Sequence, residues 1–170
     1  MKVATPSITE PAAGYAPPEE GRPLRGYLLL SLIFQALVAA AVVGLRRAGR
    51  RPPERIGGYD LLLVGAATHK LARLVTKDKV TSFIRAPFTE YEEPGGPAEV
   101  EEKPRGSGLR YAIGELLVCP YCLGLWVATA FGFGLVAAPR QTRLAAFILS
   151  ALGISDFLQI AYKAAEDKGL

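Results

Sequence analysis

The sequence has few of the residues that build disulfide scaffolds and metal clusters. Its 170 residues include two cysteines and one histidine. Two cysteines three positions apart exclude a secreted scaffold held by several disulfides. A single histidine with two thiols also leaves one chain short of the four Cys or His ligands of a usual structural zinc site.

Charged residues are absent from two long stretches, residues 26–45 and 116–138, and residues 144–162 carry only Asp156. Half of the chain is hydrophobic, and these residues are bunched rather than spread. Apolar runs of about 20 residues can cross a bilayer as helices. The sequence therefore predicts an all-α integral membrane bundle of four helices, of which three or four span the membrane.

Composition divides the chain into successive segments. Residues 1–25 are rich in proline and poor in large apolar groups, which predicts a disordered tail. A transmembrane helix follows at 26–45, and an arginine-rich linker at 46–58. A membrane domain is predicted over residues 59–165, interrupted at 89–108 by an acidic segment interpreted as a mobile, solvated loop.

Residues 59–77 leave two interpretations open. Lys70, Arg73 and Lys77 recur at helical spacing with His69 and form a basic stripe opposite an apolar face. The segment is either a short tilted span or an amphipathic helix in the membrane interface.

The distribution of Lys and Arg predicts a topology through the positive-inside rule. Three spans, with residues 59–77 on the inner surface, put 15 of the 20 basic residues inside and 5 outside. Four spans put 11 basic residues inside and 7 outside, with Lys70 and Arg73 of the fourth span left uncounted. The linker 46–58 and the loop 77–108 are therefore both predicted to be cytoplasmic. Their basic residues are expected to meet anionic lipid head groups rather than nucleic acid.

Gly124, Ala128 and Gly132 share one face of the central apolar run. Rows of small residues at this spacing allow helices to approach closely in lipid. The row predicts a helix-packing face, opposite a face that carries Cys119 and Cys122.

Cys119-Pro120-Tyr121-Cys122 has the spelling of a redox tetrapeptide. A thiol at a helix N-terminus is stabilised as the thiolate, and Pro120 fits the first helical position with Cys119 as the cap. If the helix continues through Pro120, the proline only kinks it. Glu115 lies one turn earlier, so the candidate redox residues are Cys119, Cys122 and Glu115.

Zinc is a second interpretation of the cysteines, with Cys119, Cys122 and His69 as candidate ligands. Two chains in a homodimer could supply four thiols. In the third interpretation the cysteines are small apolar residues in a packed helix.

Asp156 is the one charge of the last apolar run, and a carboxylate in a span needs a partner. Arg73 is predicted as that partner in a structural ion pair, with His69 and Lys70 next in line.

Two stretches carry a resemblance to a known family. One runs from Arg73 through Arg85-Ala86-Pro87-Phe88, and the other is the run from Gly114 to Val127 around the two cysteines. With these residues the chain resembles the domain of unknown function 1360 family of small bacterial integral membrane proteins, over residues 59–162. The resemblance implies a multi-pass protein of the bacterial cell membrane and adds no activity. The span at 26–45 looks like an addition to the family pattern.

These observations favour a non-enzymatic protein that acts as a structural or assembly partner in the membrane. Its expected partners are the lipid bilayer and either another membrane protein or a second copy of the chain. The alternative is a membrane-bound thiol redox or metal-binding protein that uses Cys119 and Cys122.

Overall fold

The computed structural model describes Tyr15 and residues 22–169. Most of the predicted disordered tail, residues 1–25, therefore lies outside the described residues. The elements in chain order are α1 (Leu24–Arg47), α2 (Gly58–Lys77), α3 (Ser82–Arg85), β1 (Thr89–Pro94), β2 (Val100–Pro104), α4 (Gly108–Val118), α5 (Pro120–Ala137) and α6 (Pro139–Asp167).

The described residues are mostly helical, as predicted, but the fold is not all-α because β1 and β2 form an antiparallel hairpin in the acidic segment. The described part also has six helices rather than four. One reason is that the long central run breaks at Cys119 into α4 and α5. Three helices, α1, α5 and α6, are long and apolar enough to cross a membrane.

Helix α2 lies between α5 and α6 and forms the core of the bundle with them. Leu63 and Ala67 of α2 pack with Phe131 of α5 and Ala146 of α6. Ala67 and Ala146 have no exposed surface, so the three helices approach closely at this level. The contact is further fixed by Ser150, whose hydroxyl donates a hydrogen bond of 2.8 Å to the Leu63 carbonyl.

Contacts along α2 define its direction. Asp60, at its start, bonds Arg143 near the start of α6, and Lys70 bonds Asp156 farther along α6. Helix α2 is therefore parallel to α6. It is antiparallel to α5, because α5 and α6 are joined at Ala138 by a tight turn.

This direction places the linker and the hairpin at opposite ends of α5. Arg51 and Arg55 of the linker lie beside Pro139 at the α5–α6 turn, whereas the hairpin follows the other end of α2. Two segments at opposite ends of a spanning helix lie on opposite sides of a bilayer. The prediction that the linker and the loop 77–108 share the cytoplasmic side is therefore incompatible with a spanning α5.

The row of small residues in α5 does not form a packing face within the described chain. No atom of the described residues outside the helix's own backbone lies within 4 Å of a Cβ placed on Gly124 or Gly132. Among the described glycines, a Cβ would lie closer than 3.0 Å to another residue at Gly26, where α1 meets α4, at Gly114, where α4 meets the hairpin, and at Gly134, where α5 meets Thr142 of α6.

Helix α1 packs along α4 and α5. A Cβ on Gly26 would lie 2.8 Å from both the Ala112 side chain and the Gly108 carbonyl, so the two backbones are in direct contact there. Farther along, Phe34 meets Trp126 edge to face, with ring centroids 5.0 Å apart. Such aromatic pairs add about 0.5–1.5 kcal/mol beyond the area they bury.

Candidate functional site

A polar cap covers the end of α2 that lies away from the linker. We define the cap as the C-terminal turn of α2, the 3-10 turn Lys79–Thr81, α3 and the hairpin. At its centre is Arg85, whose side chain is fully buried. An arginine is rarely buried without complete pairing, so its partners determine how the cap is assembled.

Arg85 holds Glu102 of β2 in a two-point ion pair. Its Nε and Nη2 atoms donate to the two carboxylate oxygens at 3.0 and 2.9 Å. The Thr89 hydroxyl donates a further bond of 2.7 Å to the same carboxylate. Paired arginine and carboxylate forks of this kind fix orientation as well as distance.

Arg85 also satisfies backbone carbonyls that α2 leaves free at its C-terminus. Its Nη1 donates to the Val75 carbonyl at 2.7 Å, and its Nη2 donates to the Asp78 carbonyl at 3.0 Å. The Thr81 hydroxyl donates to the Leu74 carbonyl at 2.6 Å. Because the last carbonyls of a helix lack partners within the helix, these donors terminate α2 in the protein interior.

The acidic segment is a clamped hairpin rather than the predicted mobile loop. Arg73 of α2 binds Glu99 through two bonds of 2.7 Å, and Lys77, one turn later, binds Glu101 at 2.6 Å. With Glu102 on Arg85, three successive acids of the hairpin region meet bases of α2 and α3. Much of the basic stripe of α2 is thus neutralised inside the protein.

The predicted ion pair between Arg73 and Asp156 does not form, because each residue pairs with a different partner. Arg73 bonds Glu99, and Asp156 is bound by Lys70 at 2.5 Å. Asp156 lies 17 residues after Pro139, about 26 Å along α6 at the standard helical rise. Asp156 therefore lies toward the cap end of α6.

Cys119 and Cys122 lie at the junction of α4 and α5, and both are free thiols. Cys119 is the N-cap of α5, and its sulfur accepts a hydrogen bond of 3.2 Å from the backbone N–H of Cys122. Pro120 occupies the first helical position. Of the two helix alternatives, the structure has the cap and not the kinked continuous helix.

Glu115 and His69 each have partners other than the cysteines. Glu115 accepts a hydrogen bond from the Tyr27 hydroxyl of α1 and pairs with Arg22. His69 stacks on Phe157 of α6 with ring centroids 6.2 Å apart. Within residues 22–169, no group of three His, Cys, Asp or Glu side chains is placed to hold a metal ion. The structure therefore does not assemble the Cys119, Cys122 and His69 ligand set.

The electrostatics of the cap centre on Glu102. Burial by itself raises the pKa of the Glu102 carboxyl, but the hydrogen bonds from Arg85 and Thr89 outweigh it. The net pKa lies below the usual value for glutamate. The folded state therefore favours the charged carboxylate.

Because the folded state lowers the pKa of Glu102, the stability of the cap depends on pH. The contribution of Glu102 is complete above the ordinary glutamate pKa and is lost as the pH falls through its lower folded-state pKa. We expect Glu102→Gln to be less stable than the wild type at neutral pH and to lose less stability on acidification. Thermal unfolding in detergent between pH 7 and pH 3 measures this, with Glu92→Gln as an exposed control. Parallel wild-type and Glu102→Gln curves would contradict the coupling.

The chain is thus a mostly helical protein with three helices of membrane-spanning length and a polar cap built on a buried ion pair. The model of the family described as "Protein of unknown function (DUF1360)" matches residues 63–162, and the chain belongs to this family. The resemblance stated from the sequence is confirmed. Helix α1 and the linker precede the matched residues.

Two relatives come from Bacillus subtilis (strain 168). The UPF0713 protein YngL is 28% identical over 111 residues, which cover 64% of this chain and 82% of that protein. The sporulation protein YjcA is 29% identical over 107 residues, which cover 61% of this chain and 91% of that protein. No solved structure matches this chain.

Sequence reasoning missed the central role of Arg85 and Glu102. Arg85 stands inside the first stretch of the family resemblance, which could have marked it. Glu102 is one of several glutamates in a polar segment, and nothing in its neighbourhood distinguishes it from Glu90 or Glu93.

Proposed function

We propose that this protein is a non-enzymatic assembly partner in the bacterial membrane. It anchors the polar cap to the bilayer and presents the hairpin to another membrane protein. The observation that carries the proposal is the clamp on the hairpin by Arg73, Lys77 and Arg85. A segment held at three points costs little further ordering entropy on binding, as a docking surface requires.

Strand β1 of the hairpin supplies the surface for the partner. After the buried Thr89, every residue of β1 is exposed. Glu90, Glu92 and Glu93 give this strand an acidic character, which fits a partner with a basic surface at the membrane.

Affinity purification from mild detergent tests the proposal. We expect a stoichiometric partner with the wild-type chain, and its loss when Glu90, Glu92 and Glu93 are all replaced by glutamine. Replacing Glu166 and Asp167, two exposed acids at the end of α6, by their amides is the control and should leave the partner bound. Recovery of the bare protomer in several detergents would refute this function.

The proposed insertion has four crossing helices, with α2 between α5 and α6. The lipid-facing side of α2 begins with four exposed, uncharged residues: Leu61, Leu62, Gly65 and Ala66. Lys70 and Arg73 follow only near the cap, where long basic side chains can reach the head groups. With four spans, 11 basic residues lie on the side of the cap and 7 on the side of the linker. The positive-inside rule therefore favours a cytoplasmic cap and an external linker.

Cysteine labelling measures this topology. In a Cys119→Ala/Cys122→Ala background, we introduce Gly57→Cys in the linker and Pro97→Cys in the hairpin turn. A membrane-impermeant maleimide should label Gly57→Cys on intact cells, and Pro97→Cys only after lysis. Labelling of both positions from the same side would contradict the four-span arrangement.

A membrane thiol protein is a second candidate function. It is favoured by the position of Cys119 as the N-cap of α5, where its sulfur accepts a hydrogen bond from the backbone N–H of Cys122. Cys122 is exposed, so reagents can reach the pair. Alkylation with and without reductant, together with metal analysis of the purified protein, tests this candidate. Free thiols, no bound zinc and full function of the double alanine variant would eliminate it.

A further inference from the structure

A cavity of about 310 Å³ lies at the end of the bundle opposite the cap. Two elements that are far apart in the chain enclose it, the arginine linker and the α5–α6 turn. Arg51 and Arg55 line it from the linker, and Arg143 lines it from the first turns of α6. Leu135 near the end of α5 and Pro139 at the start of α6 supply an apolar wall.

The charges around this cavity do not cancel. Asp60 is its one carboxylate, and Arg143 already binds that group through two bonds of 2.9 and 2.8 Å. Neither Arg51 nor Arg55 has an ion-pair partner among the described residues. Three arginines and one aspartate leave a net charge of +2. An anion would therefore complete the site.

We propose that this cavity binds the phosphate head group of an anionic phospholipid through Arg51 and Arg55. The proposal rests on the membrane insertion proposed above. In that arrangement the end of α5 lies where lipid phosphates lie. Guanidinium groups bind phosphate oxygens through paired hydrogen bonds, and the Leu135 side of the cavity can contact the start of an acyl chain.

The role of Asp60 and Arg143 follows from their mutual bond. Asp60 holds Arg143 against the bundle, which leaves the two linker arginines to meet the ligand. Arg51 and Arg55 precede residues 63–162, whereas Arg143 and the apolar wall lie within them, so the cavity joins the linker to the part of the chain that matches the family.

Native mass spectrometry of the delipidated protein in detergent tests the proposal. The probes are dioleoyl phosphatidylglycerol, dioleoyl phosphatidylcholine with the same acyl chains, and inorganic phosphate. The test variant is Arg51→Gln/Arg55→Gln. The control is Arg46→Gln/Arg47→Gln, which removes the same charge from the exposed last turn of α1, outside the cavity.

We expect the wild type and the control to prefer phosphatidylglycerol over phosphatidylcholine, and the test variant to bind phosphatidylglycerol at least about tenfold more weakly. Inorganic phosphate at millimolar concentration should not displace the bound lipid. An equal loss in the two variants, no lipid preference in the wild type, or displacement by phosphate would each overturn the proposal.

Membrane insertion is measured separately by alkaline carbonate extraction of the same variants. A protein that stays in the membrane but shows no lipid preference would overturn the head-group site and leave the proposed function standing. Release of the wild type by carbonate would overturn both, because the cavity could not then lie at the level of the phosphates.

Discussion

Replacing Arg85 by alanine should lower the free energy of unfolding by about 3–5 kcal/mol, because Glu102 would remain as a buried charge without its partner. The carbonyl of Val75 in α2 and that of Asp78, just after α2, would lose their Arg85 donors as well. Titration with SDS in mixed micelles measures the change. We expect the hairpin to detach from α2 before the helices separate, because the ion pairs of the clamp hold it to that helix.

Two further variants distinguish the effect of the buried Arg85–Glu102 pair on stability from that of a surface ion pair. Arg73→Ala removes an ion pair whose arginine side chain is 47% exposed, and should cost about 1 kcal/mol or less. Arg85→Met with Glu102→Leu leaves no unpaired charge, and should regain part of the stability lost in Arg85→Ala. Equal losses for Arg73→Ala and Arg85→Ala would show that Arg85 is not the centre of the cap.

Replacing Gly114 by alanine should have the next largest effect. A Cβ at this position would lie 2.6 Å from the Phe88 carbonyl oxygen and 3.0 Å from the Pro104 side chain. The nearest atom belongs to the backbone, so α4 and the hairpin must move apart. Overpacking of this kind costs about 1–3 kcal/mol. The same mixed-micelle titration measures it.

Gly124→Ala is the matched control, because it makes the same change one helix later. No described atom outside the helix's own backbone lies within 4 Å of that Cβ. Alanine favours a helix interior over glycine by up to about 1 kcal/mol, so this variant should be neutral or more stable. A loss at Gly124 as large as that at Gly114 would point to a packing contact with another chain.

Several local features could be read from the sequence because their causes lie within a few residues. Runs with at most one charge marked the apolar parts of α1, α5 and α6, since a spanning helix needs about 20 apolar residues. Pro120 after Cys119 marked the start of α5, because proline suits the first helical position. The one-residue turn at Ala138 follows from Pro139 in the same way.

The hairpin escaped prediction because its residues favour no strand on their own. Glutamates, prolines and glycines are typical of solvated loops, and β-propensity depends strongly on context. The strands form because Glu99, Glu101 and Glu102 meet Arg73, Lys77 and Arg85 when α2 and the segment lie side by side. That arrangement is a property of the packed chain.

The sequence by itself determined the apolar helices and the family, and it offered Cys119 as the cap of α5 as one of two alternatives. Tertiary structure alone decided the direction of α2, and with it the separation of linker and cap. It also decided the ion pairs, which join residues far apart in the chain, such as Arg85 with Glu102 at a separation of 17 and Lys70 with Asp156 at 86. An ion pair depends on distance in space. Arg73, Lys70 and His69 lie within about one turn of a helix, and the sequence favoured Arg73 for Asp156, whereas the packing of α2 against α6 brings Lys70 to it.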